Sequence, residues 1–461
     1  MSVRDHLIDI SPLRDSRDFR AIFIARVVSL VGLGMATVAL SDQVYDLTES
    51  TFQVAVAGTV MSITVLLGSL AGGVMADRMD RRGIIVFARG AAALAFAGLA
   101  VNAFQPEPRL WAILVCIAWD GLATGVSVTA LMAVAPTLVR PDQLPAAGAL
   151  ISLTGEIGSI GAPLLGGVLL ALWGPGPVYT LAAVTTMITT FLISRIRSLP
   201  PGTGDDDDDE AEEDSGSLLV AFTYAWRNKV VGGLLSLGGV TALFTMPVVL
   251  FPEMVDKQFN DSEVILGLLY TAPAIGSVLV SAGSGWLTRA ARPGKVLLTA
   301  AFTGGIATIG FGVSGLLGLG LVGHLALAMV MLAVAGAAGT VYEILEYALI
   351  QHNTPDRLRG RIVSVSTTQD TAGDLIGDVE AALVAKWFSP AGAAIVNGVI
   401  CALAAVVVAV AVPALREATL PAGWDDDDDE AEAEAEEGDA GTDPSADAPV
   451  PAKSPRPAPT G

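Results

Sequence analysis

Residues 72–83 read GGVMADRMDRRG and form a short charged stretch between two long apolar segments. The stretch contains the pattern Gly73-x-x-x-Asp77-Arg78-x-Asp80-Arg81-Arg82. The apolar segments on either side, residues 52–75 and 83–104, are each long enough to cross a hydrocarbon core about 30 Å thick. The pattern therefore predicts two membrane-spanning helices joined by a charged turn in water.

The rest of the chain continues this pattern. Of its 461 residues, 52% are apolar and 16% are charged, and the mean hydropathy is +0.60. Apolar runs of about 20 residues predict twelve spans, at 19–41, 52–75, 83–104, 110–138, 145–172, 178–197, 230–251, 264–287, 295–317, 320–350, 362–388 and 391–415. The predicted fold class is an all-α polytopic membrane protein. The polar residues 1–18 predict no cleavable signal peptide.

The formal net charge of −21 is concentrated in two acidic segments, residues 205–214 and 425–447. Such segments bury little apolar area, so we expect disordered spacers, with an acid-binding or regulatory tail as the alternative. The predicted parts are a six-helix bundle (1–198), a linker (199–229), a second six-helix bundle (230–416) and a tail (417–461). The loops on one side carry most of the Arg and Lys residues, which predicts that both termini are cytoplasmic.

The chain also repeats itself. Pro141-Asp142-x-Leu144 recurs as Pro355-Asp356-x-Leu358, in each case after the fourth span of a six-span half. The opening pattern has a second-half counterpart, Gly285-x-x-x-Arg289-x-x-Arg292, that lacks the acid. The repeat predicts two related halves with a substrate site between them near the membrane midplane.

The charged turn resembles the loop between helices 2 and 3 of the major facilitator superfamily. The resemblance implies a gating motif made of Gly73, Asp77, Arg78, Asp80, Arg81 and Arg82, in which Gly73 allows close helix packing and Asp77 faces the other half. A second pattern in span 5 contains Gly158, Pro163, Gly166 and Gly167 and resembles the glycine-proline signature of drug antiporters, which implies export. Ordinary packing of small residues is the alternative for this pattern.

Ionisable residues inside the spans are the candidate proton-coupling or cavity residues. Glu343 and Glu346 share one face of span 10, and Asp370, Asp374 and Asp378 share one face of span 11. Charges facing lipid are costly, so we expect these groups to line a wet cavity or to pair structurally. The other candidates are Asp120, Glu156 and the possible counter-charges Arg26 and Arg89. Trp119, Tyr270, Tyr342 and Tyr347 are candidates for stacking on planar rings.

The sequence predicts neither an enzyme nor a cofactor site. It lacks a nucleotide-binding loop of the form Gly-x-x-x-x-Gly-Lys-Ser/Thr, and no arrangement of nucleophile, base and acid is recognisable. Cys116 and Cys401 lie inside spans and predict no disulfide, and the three histidines are scattered, so no metal site is expected. The predicted partners are a small-molecule substrate, protons and the lipid bilayer, with no nucleic acid, and the chain is expected to be a monomer.

Further segments narrow the resemblance. They include residues 19–26, 76–90, 102–109, 119–121, 291–294, 354–356 and 371–377, and they resemble the enterobactin exporters within the superfamily. This resemblance implies proton-driven export of a catecholate siderophore from the cytoplasm across the inner membrane by alternating access. The acid-rich cavity favours a neutral or cationic substrate instead, so a multidrug/proton antiporter for lipophilic or cationic compounds is the alternative. A membrane sensor or scaffold that transports nothing is the alternative of another class.

Overall fold

The structure, a computed structural model, describes residues 11–134, 143–197, 223–244, 247–284, 287 and 290–420. The described part is helical and contains no strands. Six long helices form the N-terminal half, and each meets the length and apolarity needed to span a membrane. They are α1 (Arg17–Thr48), α2 (Thr51–Arg78), α3 (Arg81–Ala103), α4 (Leu110–Val134), α5 (Leu144–Trp173) and α6 (Pro175–Ser194).

The C-terminal half repeats the arrangement with six further helices. The first of them, α7, has two segments, Lys229–Phe244 and Phe251–Gln258, with a short 3-10 helix at Val248–Leu250 between them. It is followed by α8 (Glu263–Ala282), α9 (Pro293–Ser314) and α10 (Gly320–Asn353). The last helical stretch, Asp356–Ala411, is interrupted at Ser389, where φ is 73°, and Pro390 follows. We name its two parts α11 (356–388) and α12 (390–411).

The prediction of an all-α polytopic fold is therefore confirmed. Eleven described helical stretches qualify as membrane spans, and the eleventh, Leu358–Ala411, is 54 residues long. At a rise of about 1.5 Å per residue, that stretch is long enough for two crossings. The interruption at Ser389 divides it accordingly, so the described stretches make twelve crossings.

The linker predicted at residues 199–229 extends too far toward the C-terminus. Residues 223–227 are helical although they lie within the range predicted as linker. Tyr224 Oη donates a hydrogen bond to the Asn353 carbonyl oxygen at 2.6 Å, and Ala225 is buried. This turn therefore belongs to the C-terminal half. The acidic stretches 205–214 and 425–447 lie outside the described residues, so their predicted disorder stays a prediction.

The two ends of the bundle differ in how the halves pack. Because successive helices alternate in direction, α1 begins and α12 ends at the same end, which we name the terminal face. The turns at 49–50 and 104–109 lie at the opposite face. Toward the opposite face, one apolar core combines residues of both halves, such as Met35 and Val44 with Phe251 and Leu266. Toward the terminal face, each half has a core of its own.

Candidate functional site

A cavity of about 550 Å³ lies within the C-terminal half, with walls from α7 to α11. Its lining includes five carboxylates, Glu343, Glu346, Asp370, Asp374 and Asp378. These are the acids of spans 10 and 11 that the sequence predicted to share a face, and the structure brings both sets to one space. No lysine, arginine or histidine is among the described residues that line this cavity. We name it the acidic cavity.

A second cavity of about 250 Å³ lies between the halves. Its N-terminal wall is mostly apolar and includes Leu33, Phe96 and Ile117, while Asp120 contributes a carboxylate. The C-terminal half contributes Val248, Val249, Tyr270 and Asp378. We name this space the apolar cavity. Its lining was not predicted, because apolar residues at helical spacing look the same whether they fill a core or border a pocket.

The two cavities meet at Asp378 and Val248, which line both. Val248 begins the 3-10 helix at the break in α7, where the α-helical hydrogen-bond ladder is interrupted. The carboxylate of Asp378 accepts a hydrogen bond from the backbone of Val249. An interrupted helix at membrane depth thus offers a backbone donor to an acid, as helix breaks do at ion and substrate sites of transporters.

Two buried carboxylate atoms lack a hydrogen-bond partner among the described residues. Glu346 is 5% exposed and its Oε1 is unpartnered, and Asp120 is 4% exposed with an unpartnered Oδ1. Buried polar atoms are rarely left without a partner, because an unmade hydrogen bond costs about 1–3 kcal/mol. Glu346 lies in the wall of the acidic cavity and Asp120 in the wall of the apolar cavity, but the two unpartnered oxygens themselves have almost no accessible surface.

The two predicted counter-charges lie in the N-terminal half. Arg89 Nη1 donates to Ser29 Oγ at 2.7 Å, and Arg26 Nε donates to Thr154 Oγ1 at 3.1 Å. Arg89 interacts electrostatically with Asp120 as well as with Arg26. Arg89 therefore lies near Asp120, and neither arginine is among the described residues that line the acidic cavity. The side chain of Glu156, the remaining candidate, is outside the described residues.

The four candidate aromatic residues divide into two pairs. Tyr270 lines the apolar cavity and Tyr342 the acidic cavity. Trp119 and Tyr347 are 54% and 58% exposed and line neither. Trp119 Nε1 donates to the Ala91 carbonyl oxygen at 3.0 Å. Trp119 and Tyr347 are therefore not among the residues that line either cavity, and their role in stacking stays a prediction.

The predicted gating turn lies at the terminal face, between α2 and α3. Asp80 caps the N-terminus of α3, since its Oδ1 accepts a hydrogen bond from the Arg82 N–H at 3.2 Å. The Arg82 side chain donates to the Ser194 carbonyl oxygen at the end of α6. Arg78 is exposed, and the side chain of Asp77 lies outside the described residues. The described contacts of this turn thus connect helices within the N-terminal half.

Close helix packing at this turn involves a different glycine from the one predicted. A Cβ atom at Gly72 would lie 2.7 Å from Val126 Cα of α4, whereas one at Gly73 would meet only Thr129 Cγ2, at 4.0 Å. The prediction that Gly73 allows close packing is therefore wrong. The required glycine is one residue earlier, because that position faces the backbone of α4.

The glycine-proline pattern of α5 lies at a contact between the halves. A Cβ atom at Gly167 would lie 2.4 Å from the Glu263 carbonyl oxygen and 2.9 Å from Gly267 Cα of α8. Gly166 and Gly158 instead face Met35 and Leu30 of α1. The α5 and α8 backbones therefore approach closely at Gly167, and no larger residue fits there without movement.

Hydrogen bonds also join the halves near the opposite face. Tyr45 Oη donates to Asp256 Oδ2 at 3.0 Å, and Thr51 Oγ1 donates to the Glu253 carboxylate. Closer to the apolar cavity, Tyr270 Oη donates to Ser41 Oγ at 3.0 Å. We name these three bonds the latch. Sequence reasoning missed it, because each pair is separated by about two hundred residues and no local pattern signals the pairing.

Two helical halves around a shared cavity define a class of membrane transporter. The sequence pattern of the Major Facilitator Superfamily matches residues 22–377. The chain belongs to that superfamily and is a multi-pass membrane transporter of its fold. The resemblance noted at the gating turn is thereby confirmed.

Curated relatives show to which members of the superfamily the chain is similar. The chain is 35% identical over 402 residues to the enterobactin exporter EntS of Citrobacter koseri, covering 86% of this chain and 92% of the relative. It is 34% identical over 398 residues to the enterobactin exporter EntS of Shigella dysenteriae serotype 1, with the same coverage. The resemblance to the enterobactin exporters is therefore confirmed.

Solved structures share the fold at low sequence identity. A POT family transporter in complex with 5-aminolevulinic acid aligns with a TM-score of 0.68 at 12% identity, over 87% of this chain and 97% of that chain. A bacterial homologue of the iron transporter ferroportin, in its inward-facing state, aligns with a TM-score of 0.63 at 16% identity, over 84% and 98%. At this sequence identity, the similarity shows that the fold is shared.

Proposed function

We propose that this chain is a proton-coupled exporter that moves a siderophore of the enterobactin class out of the cytoplasm by alternating access. The observation that carries the proposal is the pair of adjacent cavities, one between the halves and one within the C-terminal half, in a chain whose curated relatives are enterobactin exporters. Carboxylates at membrane depth are costly, so they face a water-filled cavity or pair with other groups, and they mark paths for ions, protons or polar substrates.

The packing of the two ends supports alternating access. The halves share a core and the latch toward the opposite face, while their cores are separate toward the terminal face. We assign the terminal face to the cytoplasm because its loops carry most of the basic residues. The arrangement then corresponds to a transporter open to the cytoplasm, and rocking of the halves would break the latch and expose the cavities outside.

The proposal is tested in a bacterial host that synthesises enterobactin but lacks its own enterobactin exporter. Expression of this chain should restore the siderophore to the medium and lower its amount in the cells. In proteoliposomes, uptake of the siderophore should follow an imposed proton gradient and stop when a protonophore collapses it. Unchanged secretion in cells that hold the protein in their membrane would refute siderophore export, and gradient-independent transport would refute proton coupling.

The alternative substrate is a lipophilic cation. The specific observation that favours it is the acidic cavity, whose described lining carries five carboxylates and no basic side chain. A cation would be attracted by this charge and could stack on Tyr270 or Tyr342. Increased resistance of the host to cationic dyes, without restored siderophore secretion, would favour this alternative.

A further inference from the structure

The turn between α9 and α10 differs from an ordinary connection between membrane spans, because none of its side chains is polar. Its residues, 315–319, read GLLGL. Leu316, Leu317 and Leu319 are each more than half exposed among the described residues. Exposed apolar patches of this kind mark surfaces that bind a membrane or another protein.

The corresponding turn of the N-terminal half is polar. In the repeat, α3 and α4 are the counterparts of α9 and α10, and residues 104–109, FQPEPR, join them. Glu107 and Arg109 of that turn are exposed, as charged side chains in contact with water usually are. Both turns lie at the opposite face, so they differ in what they contact at that face.

The length of α9 places the apolar turn at the edge of the hydrocarbon core. The helix has 22 residues. At a rise of about 1.5 Å per residue it is about 33 Å long, little more than the hydrocarbon thickness of about 30 Å. Arg292 and Lys295 keep its first turn at the boundary with water on the terminal face. Its last turn therefore reaches the other boundary, where the acyl chains begin.

The backbone of the turn is suited to that boundary. Irregular backbone is excluded from the lipid core because its polar groups would lack partners, but at the boundary water can reach them. The Leu316 N–H donates to the Val313 carbonyl oxygen at 2.8 Å. Gly318 has a φ of 62°, a left-handed conformation that glycine adopts without strain. The chain can therefore reverse its direction tightly at the level of the lipid headgroups.

The end of α11 extends the apolar surface. The start of α12 packs on the end of α9, since a Cβ atom at Gly312 would lie 2.6 Å from the Ala391 carbonyl oxygen. The last residues of α11, Trp387 and Phe388, therefore lie at the same corner of the bundle, and both are largely exposed. Tryptophan is enriched at the boundary between lipid and water. The surface continues onto the side of α10, where Val322 is exposed as well.

We propose that the α9–α10 turn is a membrane anchor, in which Leu316, Leu317 and Leu319 insert among the lipid acyl chains of the leaflet at the opposite face. Lipid is the occupant because the apolar surface is continuous with the sides of the spans, which the bilayer covers. The anchor fixes one corner of the C-terminal half in the membrane, whereas the α3–α4 turn stays in water. It does not depend on which substrate the chain transports.

The test compares two single-cysteine variants of the full-length chain in lipid nanodiscs, both in the background Cys116→Ser, Cys401→Ser. Leu317→Cys reports on the apolar turn, and Glu107→Cys is the matched control in the polar turn. A water-soluble maleimide reacts with the thiolate, which forms in water, so Leu317→Cys should react at least about tenfold more slowly.

A second measurement identifies what covers the turn. A bimane attached at the same positions before reconstitution should be quenched at Leu317→Cys by lipids that carry a nitroxide near the head of an acyl chain. At Glu107→Cys it should be quenched by iodide in water instead. Full reaction of both variants in SDS and unchanged elution in size-exclusion chromatography establish that both thiols are reactive and both variants folded.

Two outcomes would overturn the anchor. Equal maleimide rates for the two variants in nanodiscs would place the apolar turn in water. Slow reaction of Leu317→Cys without quenching by the nitroxide lipid would mean that protein covers the turn, either a second copy of the chain or another partner. Either result would leave siderophore export intact, since export is measured separately in cells.

Discussion

The two ends of the bundle are built differently. At the opposite face the halves share one apolar core, three latch hydrogen bonds and the backbone contact at Gly167, whereas at the terminal face each half packs on itself. The halves are held together at the opposite face, the closed end, by a few hydrogen bonds and by close contact between small residues. These contacts can break without leaving many polar groups unpaired. Opening and closing of the opposite face should therefore depend on a small number of contacts, while the terminal face depends on packing within each half.

The largest effect is expected at the backbone contact of the closed end. In Gly167→Ala, the new methyl group would lie 2.4 Å from the Glu263 carbonyl oxygen, so α5 and α8 must move apart. Overpacking of this kind costs about 1–3 kcal/mol, which should reduce siderophore export about tenfold. Export is measured in cells with equal amounts of protein in the membrane. Gly161→Ala is the matched control, because nothing lies within 4 Å of its added atom. Equal export by both variants would show that export does not depend on the close α5–α8 contact.

Packing within one half should dominate at the terminal face. Gly72→Ala would place a methyl group 2.7 Å from Val126 Cα, so we expect a loss of about 1–3 kcal/mol in stability and a lower unfolding temperature. Gly73→Ala, one residue later, should leave the unfolding temperature unchanged, because its methyl group meets only Thr129. Thermal unfolding of the two purified variants measures the difference. The reverse order of stability would contradict the packing described here.

A smaller effect is expected in the latch. Tyr45→Phe removes the hydrogen bond to Asp256 but keeps the ring, and one such bond contributes about 1 kcal/mol. The opposite face should then open about five times more often. The measurement is labelling of an Ala57→Cys probe by an impermeant maleimide, in a background of Cys116→Ser and Cys401→Ser. Tyr347→Phe serves as the control, and an equal labelling rate in the two variants would show that the latch does not hold this end.

The smallest effect is expected at the gating turn. Arg82→Gln removes the contact with the Ser194 carbonyl oxygen, which should lower stability by about 0.5 kcal/mol without changing siderophore affinity. Thermal unfolding and a binding titration check the two statements. Arg78→Gln is the control, since Arg78 is exposed. A large loss of affinity in Arg82→Gln would instead give this turn a direct role in the cavity.

Much of the fold could be predicted because lipid imposes a simple rule on sequence. A helix that crosses a bilayer needs about 20 apolar residues, and runs of that length are visible in the sequence. The structure has eleven such described stretches, and the break at Ser389 divides the last one in two, in agreement with the twelve predicted spans. The second segment of α7, Phe251–Gln258, was missed. Glu253, Asp256 and Lys257 lower its hydropathy, although it continues the helix and carries two latch acceptors.

The site could be predicted only in part. Helical spacing was enough to place Asp370, Asp374 and Asp378 on one face, and their position inside a span indicated a cavity. Spacing could not indicate which wall of the bundle Trp119 or Tyr347 faces. Nor could it reveal that Asp378 lines both cavities, because that depends on how the break in α7 packs against α11.

The core shared by the two halves has a consequence for biogenesis. Met35 and Val44 are made and inserted long before Phe251 and Leu266, with which they are buried in the finished protein. During synthesis the first six helices therefore expose a surface that only the later ones cover. Two separately expressed halves should find each other in the membrane through that surface, and a first half left alone should be a substrate for proteolysis.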